Sequence, residues 1–540
     1  MSHHVSRNAP PIAQIAERIP AAESACLPPH LAHWPRRLPR HLVLPETSLW
    51  FKLEVSAARY PGKAAYLSFG RAITYAALKQ QAEQLAGWLQ AHGVAKGDRV
   101  AVFMQYCPQF VVAVHAVLRA DAVVVPVNPM NKADEFGHCI TDPGTRVVLT
   151  TADLAGVVAE ADARLPAAQR LQHIGATRFI EALPSVINAA EAPSDAVLQW
   201  LRADPDLSGL DAPITRWADA LAAGHTPGPH RAQPDDMALL PYTSGTTGLP
   251  KGCIHSHRTL MHNVIGGAQW GHGGPEVVSL GVVPMFHITG MVYGALGPVA
   301  AGSTTVILPR WDRELAGRLI ARHQVTHWTC VPTMIIDLFG SPAYQSNLPE
   351  RAKLQCLSIP IFGVDSRIID PDTLRVLPAG ETGEIVSHGP MLFKGYWGHP
   401  EATAAAFTQI DGKAFFRTGD LGRMDDEGYF FITDRLKRMI NASGFKVWPS
   451  EVELLLFKCP LVQEACIIAS CDAYRGETVK AVIVLRAEAR GRTTAEDIMA
   501  WAREHMAAYK VPRIVEFIEA LPKSGSGKVM WRLLQERDAA

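Results

Sequence analysis

The segment 242–252 contains the residue types that a polyphosphate-binding loop requires. Its hydroxyl side chains are Thr243, Ser244, Thr246 and Thr247, and its glycines are Gly245, Gly248 and Gly252. Glycines let backbone N–H groups approach a ligand closely, and Lys251 adds a positive charge. The segment therefore predicts a phosphate-binding loop. It is not a Walker A loop, because Pro250 precedes Lys251 where that motif has Gly, and Gly252 follows it where that motif has Ser or Thr.

The segments around this loop predict an α/β arrangement. A short apolar strand is expected over 237–242, and a helix is expected to open within 253–269. Upstream, amphipathic and Val-rich stretches alternate, which predicts helices at 75–92 and 109–120 and strands at 99–103 and 122–126. This alternation is typical of parallel sheets covered by helices.

Composition limits the class of protein. The chain has 540 residues, which is too long for one core and implies at least two domains. Lys+Arg and Asp+Glu are both 52, so no net charge favours a nucleic acid or an anionic membrane as partner. The nine cysteines lack paired metal-binding spacing, which predicts reduced, buried thiols in a cytoplasmic protein.

Neither a signal peptide nor a membrane span is the favoured interpretation of the apolar segments. The first thirty residues lack an apolar central run. The segment 280–308 contains no Asp, Glu, Lys or Arg, but prolines and glycines interrupt it. We expect a buried strand–turn–helix–strand there, with a membrane span as the alternative.

The chain divides into three parts by pattern. Residues 1–45 form an arm rich in Pro and His, and 46–434 form a large N-terminal domain. Within it, residues 363–434 have short strands and frequent turns, which predicts a small β-barrel-like subdomain. Residues 435–540 form a compact C-terminal unit, with strands expected near 465–470 and 479–485 and a helix near 495–506.

Four motifs together resemble the adenylate-forming enzymes, the group of acyl-CoA ligases, luciferases and adenylation domains of peptide synthetases. They occur in that family's order, at 242–252, 284–290, 416–420 and 522–528. Most of the chain looks closest to the medium- and long-chain fatty acyl-CoA synthetases. The resemblance implies a fold of class α/β, with parallel sheets and a small β-barrel subdomain in the N-terminal domain and a small α+β lid domain at the C-terminus.

The resemblance also implies a role for each motif. The loop residues Thr243 to Gly248 and Lys251 would bind ATP, Asp420 would accept hydrogen bonds from its ribose hydroxyls, and Arg435 would bind ribose or phosphate. His287 would lie between ATP and the carboxylate. Lys528 would bridge the carboxylate and the α-phosphate and neutralise developing charge.

Further residues would serve the acid and the thiol acceptor. The apolar pocket for the acid would be lined by Ile288, Gly290, Met291, Tyr293 and Gly294, although helix packing alone would also explain the glycines. Lys437 matches the hinge of the C-terminal domain. Gly444 and Phe445 would lie where the pantetheine arm of CoA approaches.

The implied reaction uses ATP, Mg²⁺ and CoA to convert a carboxylate to acyl-AMP and then to acyl-CoA. A fatty acid is the expected substrate, with an aromatic or other small acid as the alternative. A non-catalytic relative that only binds a ligand or partner is the second alternative. No nucleic acid partner is expected, whereas a homodimer and peripheral membrane contact are left open.

One motif of that family is missing from this chain. An aromatic-Gly-x-Thr-Glu sequence, which would stack on adenine and help to hold Mg²⁺, does not occur. Several dozen residues are expected to be absent near 346–353. The resemblance therefore leaves the metal ligands unassigned and puts activity in doubt, because a wall of the adenine pocket would be missing.

Overall fold

The structure is a computed structural model. It describes residues 28–207, 213–243, 249–339, 356–435, 438, 440–442, 445–472, 476–523 and 529–539. Four sheets of five to seven strands and one two-stranded ribbon form its framework in these residues. The predicted α/β class is confirmed.

The helices cover the sheets and are numbered in chain order. They are α1 (Trp50–Arg59), α2 (Tyr75–Ala91), α3 (Pro108–Arg119), α4 (Ala133–Thr141), α5 (Ala155–Arg164), α6 (Asp195–Arg202), α7 (Trp217–Ala222), α8 (His257–Trp270), α9 (Ile288–Gly290), α10 (Gly297–Ala301), α11 (Arg313–His323), α12 (Pro332–Phe339), α13 (Pro400–Ala405), α14 (Pro449–Leu456), α15 (Ala495–His505) and α16 (Trp531–Ala539). A π-helix spans Met291–Leu296, between α9 and α10.

The strands are short in the first half of the chain and longer in the second. They are β1 (Ala64–Ser68), β2 (Arg71–Thr74), β3 (Arg99–Phe103), β4 (Val123–Pro126), β5 (Val147–Thr151), β6 (His173–Thr177), β7 (Ile214–Arg216), β8 (Met237–Leu239), β9 (Tyr242–Thr243), β10 (Lys251–Gly252), β11 (His255–Ser256), β12 (Val278–Gly281), β13 (Thr304–Ile307), β14 (His327–Trp328), β15 (Cys356–Ser358), β16 (Asp365–Ile369), β17 (Gly383–His388), β18 (Phe407–Ile410), β19 (Lys413–Met424), β20 (Phe430–Arg435), β21 (Ile440–Ala442), β22 (Phe445–Val447), β23 (Val462–Asp472), β24 (Gly476–Leu485) and β25 (Ile514–Phe517).

Two largely parallel sheets enclose the main core. The seven-stranded sheet has the order β11-β8-β4-β3-β5-β6-β7, and the five-stranded sheet has the order β14-β12-β13-β1-β2. Helix α3 is buried along nearly its whole length, and its side chains belong to a core cluster that includes residues of both sheets. Helix α3 and strands β3 and β4 begin and end within one or two residues of the predicted bounds.

The second half of the chain is mostly antiparallel. Strands β15, β20, β19, β17 and β16 are neighbours in that order, and β18 pairs with β19. The C-terminal sheet has the order β22-β21-β24-β23, with β25 parallel to β24 and with α15 packed against β25. The predicted strands and helix of the C-terminal unit are confirmed.

Two sequence predictions differ from the structure, and a third is confirmed. The strand expected at 237–242 is divided into β8 and β9, because Pro241 has no N–H to continue a ladder. The helix expected to open within 253–269 is confirmed as α8, which begins at His257, where Ser256 and Thr259 form a capping box. Among the described cysteines, Cys471 is exposed, so the prediction of buried thiols is wrong for that residue.

The apolar segment 280–308 is the predicted strand–turn–helix–strand. It runs from the end of β12 through α9, the π-helix and α10 to β13. None of the helices in the described part of the chain is both long and apolar enough to cross a membrane. Most of the glycines that interrupt the segment, and Pro298, lie in the three short helices that connect the two strands.

Close packing around Tyr106 fixes the end of β12. The Tyr106 ring is fully buried, and a Cβ atom added to Gly281 would overlap its hydroxyl oxygen. The same Cβ would lie 2.7 Å from Cγ2 of Thr305 on the neighbouring strand. Glycine is thus required at this position because two side chains already fill the space.

We predict that Gly281→Ala lowers the free energy of unfolding by about 1–3 kcal/mol, the usual effect of overpacking a core. Gly156→Ala is the control, because Gly156 is an exposed residue of α5 with no atom within 4 Å of an added Cβ. In the control, alanine should stabilise the helix by about 0.5–1 kcal/mol. Denaturant titration measures both, and equal stability of the two variants would contradict the prediction.

Candidate functional site

The two ends of the predicted phosphate loop form a short antiparallel ribbon. Strand β9 pairs with β10 so that Thr243 lies opposite Lys251. The Thr243 hydroxyl donates to the Lys251 carbonyl over 3.4 Å. The loop residues Ser244, Gly245, Thr246, Thr247 and Gly248 lie outside the described residues. The structure therefore defines the base of the loop.

The first strand of this ribbon is anchored to Asp142, which follows α4, and the residue before its second strand lies against α4. The Tyr242 hydroxyl donates to the Asp142 carboxylate over 2.5 Å, and Nε2 of His138 lies 2.8 Å from the Pro250 carbonyl oxygen. Burial raises the pKa of Tyr242 well above its usual value, and the carboxylate of Asp142 raises it further. The phenol therefore stays protonated as the donor of this hydrogen bond.

The other strand of the ribbon is held by residues 394–397, a segment that the motifs did not indicate. The Trp397 N–H donates to the Gly252 carbonyl at 2.8 Å, and the Ile254 N–H donates to the Gly395 carbonyl at 3.0 Å. The Lys251 ammonium lies 5.5 Å from the centre of the Tyr396 ring, within the range of a cation–π interaction. In the sequence, the feature that could have indicated this segment is a pair of adjacent aromatic residues between glycines at 395 and 398.

An aromatic contact joins the phosphate ribbon to the predicted ribose motif. The Phe393 ring lies 6.3 Å from the His255 ring, on β11, and 5.3 Å from the Phe416 ring, on β19. The structure thus brings β11 and β19 to either side of one side chain. They are more than 150 residues apart in the sequence, as their numbers show.

The predicted ribose motif forms a tight turn within β19. Asp420 lies opposite Arg435 on β20, and the Asp420 Oδ1 atom lies 3.0 Å from the Arg435 Nε atom. Gly419 has a φ of +70°, a conformation that favours glycine. The two residues predicted to bind the nucleoside are therefore neighbours, and Arg435 is exposed.

His287 follows the strand-to-turn connection after β12. Its side chain is exposed and caps α9, with Nδ1 accepting from the Thr289 N–H over 3.4 Å. The π-helix begins four residues later, at Met291. Single π-helical turns within helices are frequent at functional sites. No residue pattern predicted this π-helix.

The residues predicted to line the acid pocket lie on α9 and the π-helix. Met291 is buried, Ile288 is half-buried and Tyr293 is 43% exposed. A Cβ on Gly290 would overlap the Pro284 carbonyl, and a Cβ on Gly294 would lie 2.9 Å from the Tyr106 hydroxyl. Packing alone requires both glycines, so the lining of an acid pocket stays a prediction.

A carboxylate contact links the N-terminal part to α14 across the predicted hinge. Asp434 is buried and accepts from the Ser450 N–H, at the start of α14, over 2.7 Å. The hinge residue Lys437 and the residues Gly444 and Lys528 lie outside the described residues. Phe445 begins β22, but its side chain is not among those described.

The described residues contain no group of three or more His, Cys, Asp or Glu side chains placed to hold a metal ion. Mg²⁺ bound with a nucleotide does not need such a group, because phosphates and water provide most of its ligands. One carboxylate together with a triphosphate is enough. The described site is therefore compatible with a magnesium–nucleotide complex and assigns no protein ligand to the metal.

Family models and known proteins match nearly the whole chain. A model described as "AMP-binding enzyme" matches residues 53–357 and 341–397, and its C-terminal domain model matches 451–528. A long-chain-fatty-acid–CoA ligase of Bacillus subtilis (strain 168) is 32% identical, over 94% of this chain and 98% of the relative. A feruloyl-CoA synthase of an Amycolatopsis species is 30% identical, over 87% of this chain and 95% of the relative.

Among solved structures, ATP-bound MatB from Rhodopseudomonas palustris has a TM-score of 0.76 and 26% identity, over 91% of this chain and 99% of that one.

These comparisons also bear on the segment expected to be absent. The alignment with the Bacillus ligase extends over 566 positions. It includes 94% of the 540 residues of this chain, which is about 508 residues. About 58 positions of the alignment therefore have no residue in this chain. The first family model matches the chain twice, and the two matches overlap at 341–357. Both observations agree with a gap near 346–353, although residues 340–355 are not among those described.

We predict that Tyr242→Phe lowers the free energy of unfolding by about 1.5–3 kcal/mol, because a hydrogen bond to a charged carboxylate is lost. A double-mutant cycle with Asp142→Ala, which removes the acceptor, isolates the pair. Denaturant titration of the four proteins should give a coupling of about 1 kcal/mol or more. Additive effects would mean that the phenol does not anchor the ribbon through Asp142.

Proposed function

Because the chain belongs to the AMP-binding enzyme family, we propose that it is a fatty acid–CoA ligase acting on a medium- or long-chain acid. The chain is an acyl- or aryl-CoA ligase that uses ATP, Mg²⁺ and CoA. The proposal concerns the acid, which we expect to be a medium- or long-chain fatty acid. The observation that supports a fatty acid as substrate is the 32% identity, over 94% of the chain, to a long-chain-fatty-acid–CoA ligase.

In the first half-reaction, an oxygen of the carboxylate attacks the α-phosphate of ATP, and pyrophosphate leaves. The base of the phosphate loop, Thr243 and Lys251, supports a role in binding the β- and γ-phosphates through a hydroxyl and a cation. Lys528 would neutralise the charge that develops between the carboxylate and the α-phosphate. His287, exposed at the start of α9, would orient the two reactants.

Nucleoside binding would depend on the pair on β19 and β20. Asp420 has the carboxylate that accepts hydrogen bonds from two ribose hydroxyls, and Arg435 holds that carboxylate from the neighbouring strand at 3.0 Å. Mg²⁺, when bound, reduces the charge of the triphosphate and helps pyrophosphate to leave. Most of its ligands would come from the nucleotide and water.

In the second half-reaction, the CoA thiol attacks the acyl carbonyl of acyl-AMP, and AMP leaves. The C-terminal unit would rotate about Lys437 between the two steps, bringing Gly444 and Phe445 toward the pantetheine arm. The Asp434 carboxylate and the Ser450 amide lie on opposite sides of this hinge, so their contact belongs to one orientation only.

The segment expected to be absent favours a second candidate, a relative that binds a nucleotide or partner without turnover. Over its whole length, the alignment with the Bacillus ligase contains about 58 positions that have no residue in this chain. The segment would provide one wall of the adenine pocket. A third candidate, an aromatic acid as substrate, is favoured by the 30% identity to a feruloyl-CoA synthase.

Location and assembly are separate proposals. We place the protein in the cytoplasm, where ATP and CoA are available. Peripheral membrane contact and a homodimer are left open.

We predict that the purified protein, given Mg-ATP and CoA, releases pyrophosphate and forms acyl-CoA with saturated fatty acids in a series of increasing length. Ferulic and coumaric acids in the same assay test the aromatic alternative. Turnover only with the aromatic acids would contradict the fatty acid proposal. No turnover by folded protein that still binds Mg-ATP in calorimetry would favour the non-catalytic candidate.

We predict that Lys528→Ala reduces acyl-AMP formation by about 100-fold or more, because one preorganised charge at the reacting centre is lost. Hydroxylamine trapping of acyl-AMP measures this step. Lys523→Ala is the matched control on the same segment, since Lys523 pairs with Glu464 at 2.8 Å near the surface and such pairs contribute little. If Lys528→Ala forms acyl-AMP at the wild-type rate, the role of Lys528 is wrong.

A further inference from the structure

Glu384 is a buried carboxylate beside the predicted ribose motif, and none of the sequence motifs includes it. Its side chain is 2% exposed, on strand β17. One oxygen, Oε2, accepts from Arg417 Nε at 2.9 Å and from Arg417 Nη2 at 2.6 Å. The other oxygen, Oε1, accepts from the Gly419 N–H at 3.1 Å. Both oxygens of one carboxylate thus hold the segment that leads to Asp420.

The strand opposite Glu384 contains extra residues at this point. Val386 lies opposite Arg417, whereas Glu384 lies opposite Leu421. Two steps along β17 therefore correspond to four steps along β19, which is a bulge that contains Asp420. Bulges redirect side chains and leave backbone groups without ladder partners. The Gly419 N–H is one such group, and Glu384 accepts its hydrogen bond.

Two local hydrogen bonds complete the bulge. The Thr418 hydroxyl donates to the Ile385 carbonyl at 2.6 Å and accepts from the Asp420 N–H at 3.0 Å. Gly419 takes the left-handed conformation that makes the turn possible. Among the described residues, Glu384 is the only charged side chain that contacts both the Arg417 guanidinium and the Gly419 N–H.

We propose that Glu384 is a positioning residue for nucleoside recognition: it fixes the bulge that aims Asp420 at the ribose hydroxyls. This inference rests on the proposed function, in which Asp420 binds the ribose. Without an anionic acceptor, the Gly419 N–H and the Arg417 guanidinium lose their common partner, and the turn relaxes. Asp420 then keeps its charge but loses its fixed direction, so Glu384 acts through Asp420 and does not touch the nucleotide.

A merely structural role is the competing explanation, because breaking any buried ion pair is destabilising. The chain offers a matched control for this. Glu191 is also 2% exposed and lies 2.6 Å from its arginine, Arg322, the same distance as between Glu384 and Arg417. Its contacts are with Arg322 and His323 on α11, with no described contact to the bulge. A difference between the two glutamates therefore reports on the bulge rather than on burial of charge.

The test compares full-length wild type, Glu384→Gln and Glu191→Gln. Binding of Mg-ATP and of its 2′-deoxy and 3′-deoxy analogues is measured by calorimetry, which requires no turnover, and thermal unfolding is measured in parallel. We expect Glu384→Gln to weaken ATP binding by about 10-fold and to reduce the preference for ATP over the deoxy analogues. Glu191→Gln should keep that preference even if its unfolding temperature falls equally.

A second comparison uses Asp420→Ala. If Glu384 acts through Asp420, adding Glu384→Gln to Asp420→Ala changes ATP affinity by less than about 2-fold. An unchanged preference for ATP over the deoxy analogues in Glu384→Gln would overturn this inference alone. Failure of the wild type to bind ATP would overturn the proposed function and this inference with it.

Discussion

The pairing between residues 252–254 and 394–397 is the contact on which the candidate site depends. It joins the ribbon at the base of the phosphate loop to the chain that follows β17. Each of these segments is only a few residues long, and isolated pairs of short strands are marginal in water. The ribbon is defined because Asp142, which follows α4, anchors one of its strands through Tyr242 and the 394–397 segment holds the other.

The same contact explains how two different sheets contribute to one site. The parallel sheets contain the elements leading to the phosphate loop and to His287, whereas the antiparallel sheet contains Asp420 and Arg435. The Phe393 ring, one residue before the paired segment, touches aromatic residues on both sides. Hydrogen bonds and ring packing at residues 393–397 thus connect the parallel sheets to the antiparallel sheet. This connection does not require the parallel strands to contact Asp420 itself.

Much of the fold was predictable because its signals are local. Helix α3 and strands β3 and β4 follow from apolar periodicity, and the motif residues Asp420 and Arg435 follow from a resemblance. The bulge in β19 was not predictable, because it exists only through contacts with Glu384 on another strand. The 394–397 segment was missed for the same reason, since its partners lie about 140 residues earlier in the chain. No residue pattern predicted the π-helix that follows α9.

The contact between Asp434 and Ser450 has a consequence for the balance between domain orientations. A carboxylate at the first turn of a helix typically stabilises it by about 0.3–2 kcal/mol. Rotation about the hinge in the proposed cycle would separate this carboxylate from α14, and the helix amides would then face water or another anion. This one contact would therefore contribute a factor of roughly 2 to 30 in favour of the orientation described here, before any ligand binds. The binding of one substrate can reverse a bias of that size. The ratio of the two orientations in the absence of ligand would therefore set how much of the ligand's binding energy is used for domain movement.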